Sequence, residues 1–472
     1  MDVSPIDSAL VLTTGGIFDP TGAPSPPSPL TVVGGLSLLQ RTILTLQRAG
    51  ITRLVVLGGD KTEAMRRQLQ GDCRIQIEVG WLPIREFPLS DLRTWEGLSG
   101  MLGSSYLVAG TRAVFSPGLV IRLREEGRKG DPVLVLRNVE VRQDLPSHFG
   151  VPMAPQGVKG HGRGESGGAG GVVTLEPAVA SSLFVDLVSI PEGFTSPGWV
   201  NPQDSPHPLR MALERGLRSG QVKVLPLEAD WYQEVRTGAP EEVASAEWTL
   251  VRSLKGGFGG IEGFVDRHFN RKCSKWITQW LVGTPLTPNA VTILATAVGL
   301  LAAAAFGLGG YAGGIIGALL FQLSAILDCC DGEVARLKFL ESSMGEQLDV
   351  VLDNVVHVAL YAGIAWASYR DNWGPVALVF GWLAILGNLF AFVVVQKATR
   401  MRGALDPDRR RYVDSILNSL VSRDFSVVIL ALALVNHVEW FLPLAAIGSN
   451  IFWPLLAWQL RTGKRSSSPP LT

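Results

Sequence analysis

The stretch DCCDGEVARLKFLESSMGEQLDVVLD, residues 328–353, lies in the apolar last third of the chain and carries two pairs of aspartates. Asp328 and Asp331 are three residues apart, and Asp349 and Asp353 are four apart, so each pair shares one face of a helix. Acidic side chains at or within a membrane are costly, which makes them candidates for function by default. The spacing predicts two adjacent helices that present four carboxylates to one point.

Small residues accompany both pairs of aspartates. Gly332 and Ala335 follow the first pair, and Gly345 lies one turn before the second. Small side chains let two helices approach closely. Clustered carboxylates suit hard cations such as Mg²⁺ or Mn²⁺, whereas Cys329 and Cys330 lack neighbours that would complete a zinc site. The alternative is that the carboxylates pair with Arg and Lys at a membrane surface, which would not require this spacing.

The pattern D-x2-D-G-x2-A-R-x8-G-x3-D-x3-D resembles the signature of the CDP-alcohol phosphotransferase family at every defined position. The resemblance implies transfer of a phospho-alcohol or phosphatidyl group from a CDP-linked donor to an acceptor hydroxyl, with release of CMP. It implies two divalent ions, Mg²⁺ or Mn²⁺, held by Asp328, Asp331, Asp349 and Asp353, with Asp353 also the general base. It further implies a homodimer.

The same resemblance suggests residues that contact the substrates. Its nucleotide-binding candidates are Gly332, Ala335 and Gly345, which would leave room for cytidine, and Arg336, which would bond a phosphate or orient the motif. Lys397 and Arg400 are candidates for holding the acceptor phosphate. Arg409–Arg411 is interpreted as a topology determinant, with a phosphate clamp as the alternative. The donor stays open between CDP-diacylglycerol and a soluble CDP-alcohol such as CDP-inositol.

Six membrane segments are predicted, at about 290–308, 311–335, 347–368, 375–397, 424–438 and 440–460. The apolar part of the second, Tyr311–Leu327, spans roughly 25 Å, slightly less than a hydrocarbon core of about 30 Å. Asp328 is therefore expected near one membrane edge. Basic residues concentrate in alternate loops, and the positive-inside rule then places the first half of the chain and the acidic motif in the cytosol. We expect a multi-pass protein of the inner or plasma membrane.

The composition narrows the class of protein further. The chain has 472 residues, 47% of them hydrophobic, and a formal net charge of zero, so no global attraction to nucleic acid is expected. Asp2 and Asp7 argue against a basic signal-peptide start. The four cysteines form neither a disulfide framework nor a CxxC motif, which fits a reducing cytosolic face.

The first half of the chain has the pattern of an α/β domain. Apolar runs at residues 9–12 and 54–57 flank a helical pattern from Leu38 to Ala49, which indicates a layered domain with a parallel sheet. The segments SPLTVVGGLSLLQRTILTLQRAGITRLVVLGG (28–59) and WYQEVRTGAPEEVASAE (231–247) resemble the nucleotidyltransferase superfamily. The implied fold is a Rossmann-like α/β nucleotidyltransferase domain, followed by an all-α six-helix transmembrane domain.

Departures from the superfamily pattern bear on activity. Ser28 stands where the catalytic Lys precedes Pro-Leu, no Arg closely follows the turn after Thr13, and Thr111 or Arg112 stands at the metal-binding Asp position. Without a cationic clamp and a metal ligand, charge on a transferred phosphate has little stabilisation. The domain is expected to be degenerate; the alternative is an active enzyme in which Asp60 and Lys61 substitute.

The expected organisation is an α/β domain at 1–250, a juxtamembrane linker at 251–286 and a transmembrane domain at 287–465. The linker mixes aromatic and basic residues, which is typical of an amphipathic helix on an anionic bilayer; a linker helix packed on the soluble domain is the alternative. The glycine-rich segment 157–171 is not a P-loop, and His148 and His161 are interpreted as solvated.

The two-part organisation resembles fused proteins that make CDP-inositol and then a di-inositol phosphate. The function class that competes with an enzyme is a non-catalytic membrane scaffold or a transporter. A transporter would be expected to show repeats and polar groups at the membrane midplane, and neither is evident in the sequence.

Overall fold

The computed structural model describes residues 6–14, 28–59, 61–103, 105–128, 130–136, 184–191, 208–219, 221–227, 230–254, 269–371, 373–401 and 425–462. The chain divides into two compact units between Ser253 and Leu254. Each unit has its own hydrophobic core.

The first unit is an α/β unit whose strands are β1 (Ser8–Leu12), β2 (Val32–Val33), β3 (Leu36–Ser37), β4 (Arg53–Gly58), β5 (Glu78–Pro83), β6 (Tyr106–Gly110), β7 (Ala113–Phe115), β8 (Val133–Leu136), β9 (Phe184–Ile190), β10 (Lys223–Pro226) and β11 (Tyr232–Glu234). Seven of them form one sheet in the order β10-β8-β9-β6-β1-β4-β5. The other strands form two small ribbons, β2–β3 and β7–β11.

The main sheet is mostly parallel rather than wholly parallel. β1 pairs in parallel with β4 and β6, β4 with β5, and β8 with β10. β9 runs antiparallel to both of its neighbours, β6 and β8. The expectation of a parallel sheet is therefore wrong for this strand. An apolar run reveals a buried strand but carries no information about its direction, and mixed sheets are common.

Helices cover both faces of the sheet. They are α1 (Leu38–Arg48), α2 (Thr62–Gln70), α3 (Leu92–Leu102), α4 (Pro117–Gly127), α5 (Pro208–Arg218) and α6 (Pro240–Ser253). Alternate residues of β1 enter two different cores: Ala9 and Val11 lie in one, and Leu10 and Leu12 lie in the other. Successive side chains of a strand point to opposite faces, so both faces are buried. The predicted helix at Leu38 is confirmed, and Ser37 caps it by accepting from the Gln40 backbone N–H.

The second unit is all α-helical within the described residues. Its helices are α7 (Arg271–Val282), α8 (Pro288–Leu308), α9 (Gly310–Lys338), α10 (Ser343–Arg370), α11 (Pro375–Met401), α12 (Phe425–Leu434) and α13 (Phe441–Thr462). In the part of the chain that the structure describes, five segments are long and apolar enough to cross a membrane: α8, α9, α10, α11 and residues 438–460. The chain is therefore an integral membrane protein.

The fifth predicted segment, at about 424–438, is shorter than expected. α12 contains ten residues, about 15 Å of helix, which is half of a typical hydrocarbon core. It ends before Asn436, whose φ of 59° is left-handed and incompatible with a continuing helix. Residues 402–424, which precede it, lie outside the described part of the chain.

Small residues bring α8, α9 and α10 close together. A Cβ added to Gly299 of α8 would lie 2.6 Å from Val356 of α10 and 2.9 Å from Ser324 of α9. A Cβ on Gly313 of α9 would lie 2.7 Å from the Ala305 carbonyl oxygen of α8, and one on Gly363 of α10 would collide with the Ala303 carbonyl. This close approach holds α8 against α9 and α10, the two helices that carry the acidic motif.

The juxtamembrane helix α7 packs against α9. Ser274, Thr278 and Val282 form its buried face. Trp276 and Trp280 are 66% and 79% exposed on the other side. One face is thus fixed to the bundle, and two tryptophans, which favour the membrane–water interface, point away from it.

Candidate metal centre

The four aspartates of the motif lie on two neighbouring helices. Asp328 and Asp331 belong to the last third of α9, and Asp349 and Asp353 belong to the first half of α10. Each of Asp328, Asp349 and Asp353 offers a carboxylate oxygen, and these three oxygens all lie within 4.8 Å of one another. The predicted convergence of both helices on one point is therefore visible for these three acids.

Asp331 sits beside this group with a hydrogen-bond partner of its own. The Thr292 hydroxyl donates to Asp331 Oδ2 at 2.6 Å, and the side chains of Asp331 and Asp349 interact with each other. Thr292 lies on the second turn of α8, so a third helix contributes to the site. The acidic motif alone does not predict this role of Thr292. The one sign of it in the sequence is that Thr292 ends the run TPNAVT at the start of α8.

The chemistry of the donor set fits a divalent cation. Asp328 and Asp331 are each 7% exposed, and like charges held this close repel each other strongly. Asp349 Oδ1 is buried and accepts no hydrogen bond from any residue that the structure describes. Oxygen-rich, anionic clusters of this kind suit Mg²⁺ and Mn²⁺. We therefore regard Asp328, Asp349 and Asp353 as able to hold such an ion, with Asp331 adjacent.

Cys330 of the motif contacts the juxtamembrane helix. The Cys330 thiol donates to the Ile326 carbonyl at 3.3 Å and to the Ser274 carbonyl of α7 at 3.6 Å. Cys330 is fully buried there. Its thiol thus packs between α9 and α7.

The nucleotide-binding candidates surround the acids but stay a prediction. A Cβ on Gly332 would lie 3.2 Å from Arg336 Nη1, and one on Gly345 would lie 3.2 Å from Asn289 Oδ1. Ala335 is half-buried. Both glycines therefore lie where a larger side chain would crowd a polar neighbour.

Arg336 is surrounded by acids of its own region. Its guanidinium interacts electrostatically with Glu333, Glu341 and Asp331. This environment fits the orienting role among the two roles that the sequence suggested. A phosphate contact stays a prediction.

Lys397 and Arg400 lie near the end of α11, and their contact with an acceptor phosphate stays a prediction. Both side chains are exposed near the end of α11. Within the described residues, neither forms a hydrogen bond or an ion pair. Arg409–Arg411, His148, His161 and the segment 157–171 lie outside the described residues.

In the first unit, two threonines lie at the carboxyl ends of sheet strands, where the sequence suggested a degenerate nucleotidyltransferase site. The Thr111 hydroxyl and its backbone N–H both donate to the Leu12 carbonyl, at 3.3 and 3.1 Å, and the Thr13 hydroxyl donates to the Leu57 carbonyl at 2.7 Å. These threonines tie together the carboxyl ends of β1, β4 and β6. Asp60 and residues 15–27 lie outside the described part of the chain.

The chain is similar to one described protein family and to several known proteins. Residues 285–451 match the family described as CDP-alcohol phosphatidyltransferase. The chain is 32% identical over 228 residues to the bifunctional IPC transferase and DIPP synthase of Thermococcus kodakarensis, a match that covers 48% of this chain and 49% of that protein. It is 27% identical over 400 residues to the protein of the same name from Rubrobacter xylanophilus, covering 77% of each.

The matches cover only part of some relatives, and the likeness to a solved structure is low. The matches to the Thermococcus protein and to its namesake from Aquifex aeolicus span about half the length of each, 49% and 53%. Among solved structures, the phosphatidylinositol phosphate synthase of Mycobacterium tuberculosis with CDP-DAG bound aligns at 18% identity and a TM-score of 0.32, covering 43% of this chain and all of that one.

Proposed function

We propose that the membrane unit transfers a phospho-alcohol or phosphatidyl group from a CDP-linked donor to an acceptor hydroxyl, releasing CMP. The match of residues 285–451 to the CDP-alcohol phosphatidyltransferase family supports this proposal. The observation that carries the proposal is the group of three carboxylates within 4.8 Å on two adjacent helices. That group coincides with the complete acidic motif of residues 328–353.

Each acidic residue has a place in this proposal. Asp328, Asp331, Asp349 and Asp353 would hold the cations. Bound divalent ions would neutralise the pyrophosphate and stabilise the attacking and leaving oxygens. Asp353 accepts the proton of the acceptor hydroxyl as general base. Thr292 keeps the Asp331 carboxylate oriented through the 2.6 Å hydrogen bond.

The remaining predicted residues complete the substrate site. Gly332, Ala335 and Gly345 leave room for cytidine, and Arg336 orients the acidic segment or bonds a phosphate. Lys397 and Arg400 hold the acceptor phosphate, for which their exposed position on α11 gives access to solvent. The protein works as a homodimer in the cell membrane, with its active site facing the cytosol.

The donor class that we favour is a soluble CDP-alcohol of the CDP-inositol type rather than CDP-diacylglycerol. The support is the name shared by the Thermococcus and Rubrobacter relatives, bifunctional IPC transferase and DIPP synthase. The acceptor is then an inositol phosphate. The competing scaffold or transporter function has no need of a clustered acidic motif.

The assay that tests the transferase measures CMP release by membranes containing the full-length protein. CDP-inositol and CDP-diacylglycerol are offered in parallel, each with inositol phosphate, and each with and without EDTA. We expect CMP from CDP-inositol, lost on EDTA treatment and restored by excess Mg²⁺ or Mn²⁺. CMP release from CDP-diacylglycerol alone would overturn the donor class, and release from neither donor would overturn the transferase.

A second candidate activity belongs to the first unit, which would make the CDP-alcohol itself. The Rubrobacter match covers 77% of this chain and so extends into that unit. Against it stand Ser28 and Thr111, because a serine supplies no cation and the Thr111 hydroxyl already donates to the Leu12 carbonyl. Release of pyrophosphate from CTP, dependent on inositol phosphate, would establish the activity. Its absence from protein that still releases CMP from CDP-inositol would establish a degenerate domain.

A further inference from the structure

Glu333 is a fully buried carboxylate on α9 that the proposed reaction does not use. The Ser274 hydroxyl donates to its Oε1 at 2.8 Å, and the Thr278 hydroxyl donates to its Oε2 at 2.7 Å. Both hydroxyl residues belong to α7 and are themselves fully buried. A buried carboxylate is strongly destabilising unless both of its oxygens accept hydrogen bonds. This pair of hydrogen bonds therefore requires α7 to stay docked on α9.

Glu333 and the metal-site acids lie on opposite sides of α9. Glu333 follows Asp331 by two residues, which corresponds to a rotation of about 200° around a helix of 3.6 residues per turn. Asp331 accordingly meets Thr292 of α8, whereas Glu333 meets Ser274 of α7. The acidic end of α9 is thus held from both sides.

Other hydrogen bonds also join α7 and its flanking residues to α9. Gln322 Nε2 donates to Asn270 Oδ1 at 2.6 Å, and Lys338 Nζ donates to the Thr284 and Leu286 carbonyls at 2.5 and 3.0 Å. Residue numbers rise together on both sides of these contacts. The segment from Asn270 to Leu286 therefore runs beside α9 in the same direction, and Glu333 lies within the bonded stretch.

We infer that Glu333 is a positioning residue that, through Ser274 and Thr278, fixes the rotation of α9 about its axis and so aims Asp328 and Asp331 at the acids of α10. The inference rests on the proposed function, because it concerns the same metal site. A carboxylate lies about 6 Å from a helix axis, so a rotation of about 20° would displace it by about 2 Å. Metal–ligand distances tolerate about 0.2 Å.

The test removes the two donors and measures binding of Mn²⁺ alone to purified full-length protein, with free Mn²⁺ followed by electron paramagnetic resonance. We expect the double variant Ser274→Ala/Thr278→Val to bind Mn²⁺ about 10-fold to 100-fold more weakly, as is typical when groups that orient metal ligands are removed. Thr278→Ser, which keeps the donor, should bind within twofold of the natural protein. Ser368→Ala is the matched control, since the buried Ser368 hydroxyl donates only within α10, to the Ile364 carbonyl at 2.8 Å.

The outcomes separate the inference from the proposed function. A folded double variant that binds Mn²⁺ within twofold, while Asp349→Asn abolishes binding, would overturn the inference alone. Natural protein that binds no Mn²⁺, or Asp349→Asn protein that binds it normally, would overturn the metal site and the inference together. If the double variant does not fold, Glu333→Gln replaces it: weakened binding supports the positioning role, and unchanged binding in folded protein contradicts it.

Discussion

Asp353 has the general-base role in the proposed reaction, and its amide analogue cannot perform that role. Asp353→Asn keeps the size of the side chain but removes its ability to accept a proton. We expect CMP release to fall by about 10² to 10⁴, with the circular dichroism spectrum unchanged. Asp371→Asn is the control, because Asp371 is exposed at the other end of α10. Normal turnover by Asp353→Asn protein would remove the base assignment.

Asp72 in the first unit provides a prediction about pH. Burial favours the protonated carboxyl, but hydrogen bonds and charge from Arg74, together with a bond from Gln40, outweigh it and hold the pKa of Asp72 below its ordinary value. Arg74 Nε and Nη2 donate to the two carboxylate oxygens at 2.6 and 2.7 Å. A group with a depressed pKa stabilises the folded state above its unfolded pKa, about 3.9 for Asp, and loses that effect as the pH falls through the folded pKa.

The corresponding experiment compares the full-length protein with Asp72→Asn by hydrogen exchange of α1 and residues 72–76. At pH 7 the variant should open more readily by about 1–3 kcal/mol, because charge-assisted hydrogen bonds are lost. At a pH below the depressed pKa of Asp72 in the folded protein, the two proteins should exchange alike, since the natural carboxyl is then protonated as well. A difference that persists at low pH would show that Asp72 acts through packing instead.

The local sequence predicts which aspartates share a helix face. It does not predict which distant residues hold the acidic side chains in place. Helical spacing alone predicts that Asp328 shares a face with Asp331, and Asp349 with Asp353. The contacts of Thr292 with Asp331 and of Ser274 with Glu333 join residues 39 and 59 positions apart. Nothing in a local pattern specifies which distant helix will lie against a given face.

At the level of helices and strands, long apolar segments were the most predictable part of the fold. α8, α9, α10 and α11 lie where hydropathy places them, because each is long enough to dominate its own stretch of sequence. The direction of β9 and the early end of α12 were not predicted. The direction of β9 depends on how the chain connects to a distant strand. The end of α12 depends on the left-handed backbone of Asn436.

The close packing of α8 against α10 leads to a prediction about Gly363. A Cβ at Gly363 would collide with the Ala303 carbonyl oxygen, a backbone atom that cannot turn aside. We expect Gly363→Ala to destabilise the protein by about 1–3 kcal/mol, the usual cost of overpacking. Thermal unfolding in detergent would measure the loss as a lower Tm.

Gly448→Ala is the matched control for that change. Gly448 also lies within an apolar helix, α13, but a Cβ there would meet nothing within 4 Å. Since Ala favours helix more than Gly does, this variant should be as stable as the natural protein or more so. Equal destabilisation by both substitutions would show that helix contact is not the cause.

For the molecule as a whole, the proposed orientation places the two ends of α10 on opposite sides of the membrane. Glu346 and Asp371 are exposed near those ends. With a membrane-impermeant maleimide, Asp371→Cys should be labelled in intact cells and Glu346→Cys only after permeabilisation. The natural protein, with its four cysteines, sets the background. The reverse pattern would place the acidic group outside the cytosol.

The two-part architecture was predictable because composition changes sharply along the chain, from an alternating α/β pattern to long apolar helices. The activity of the first unit was not, because it depends on single side chains. Ser28 stands where the resembled superfamily has a lysine, and Thr111 or Arg112 stands where it has an aspartate. Only an assay of pyrophosphate release shows whether other residues compensate.

The docking of α7 on α9 also determines where a shortened form of this protein can begin. The family match begins at residue 285, yet a fragment that starts there would lack Ser274 and Thr278, the two hydroxyl donors to the buried Glu333 carboxylate. A fragment that starts at Leu254, the first residue of the second unit, retains both donors. The physical boundary of the second unit therefore lies some thirty residues ahead of the boundary by homology, and the longer fragment should express with the higher yield and monodispersity.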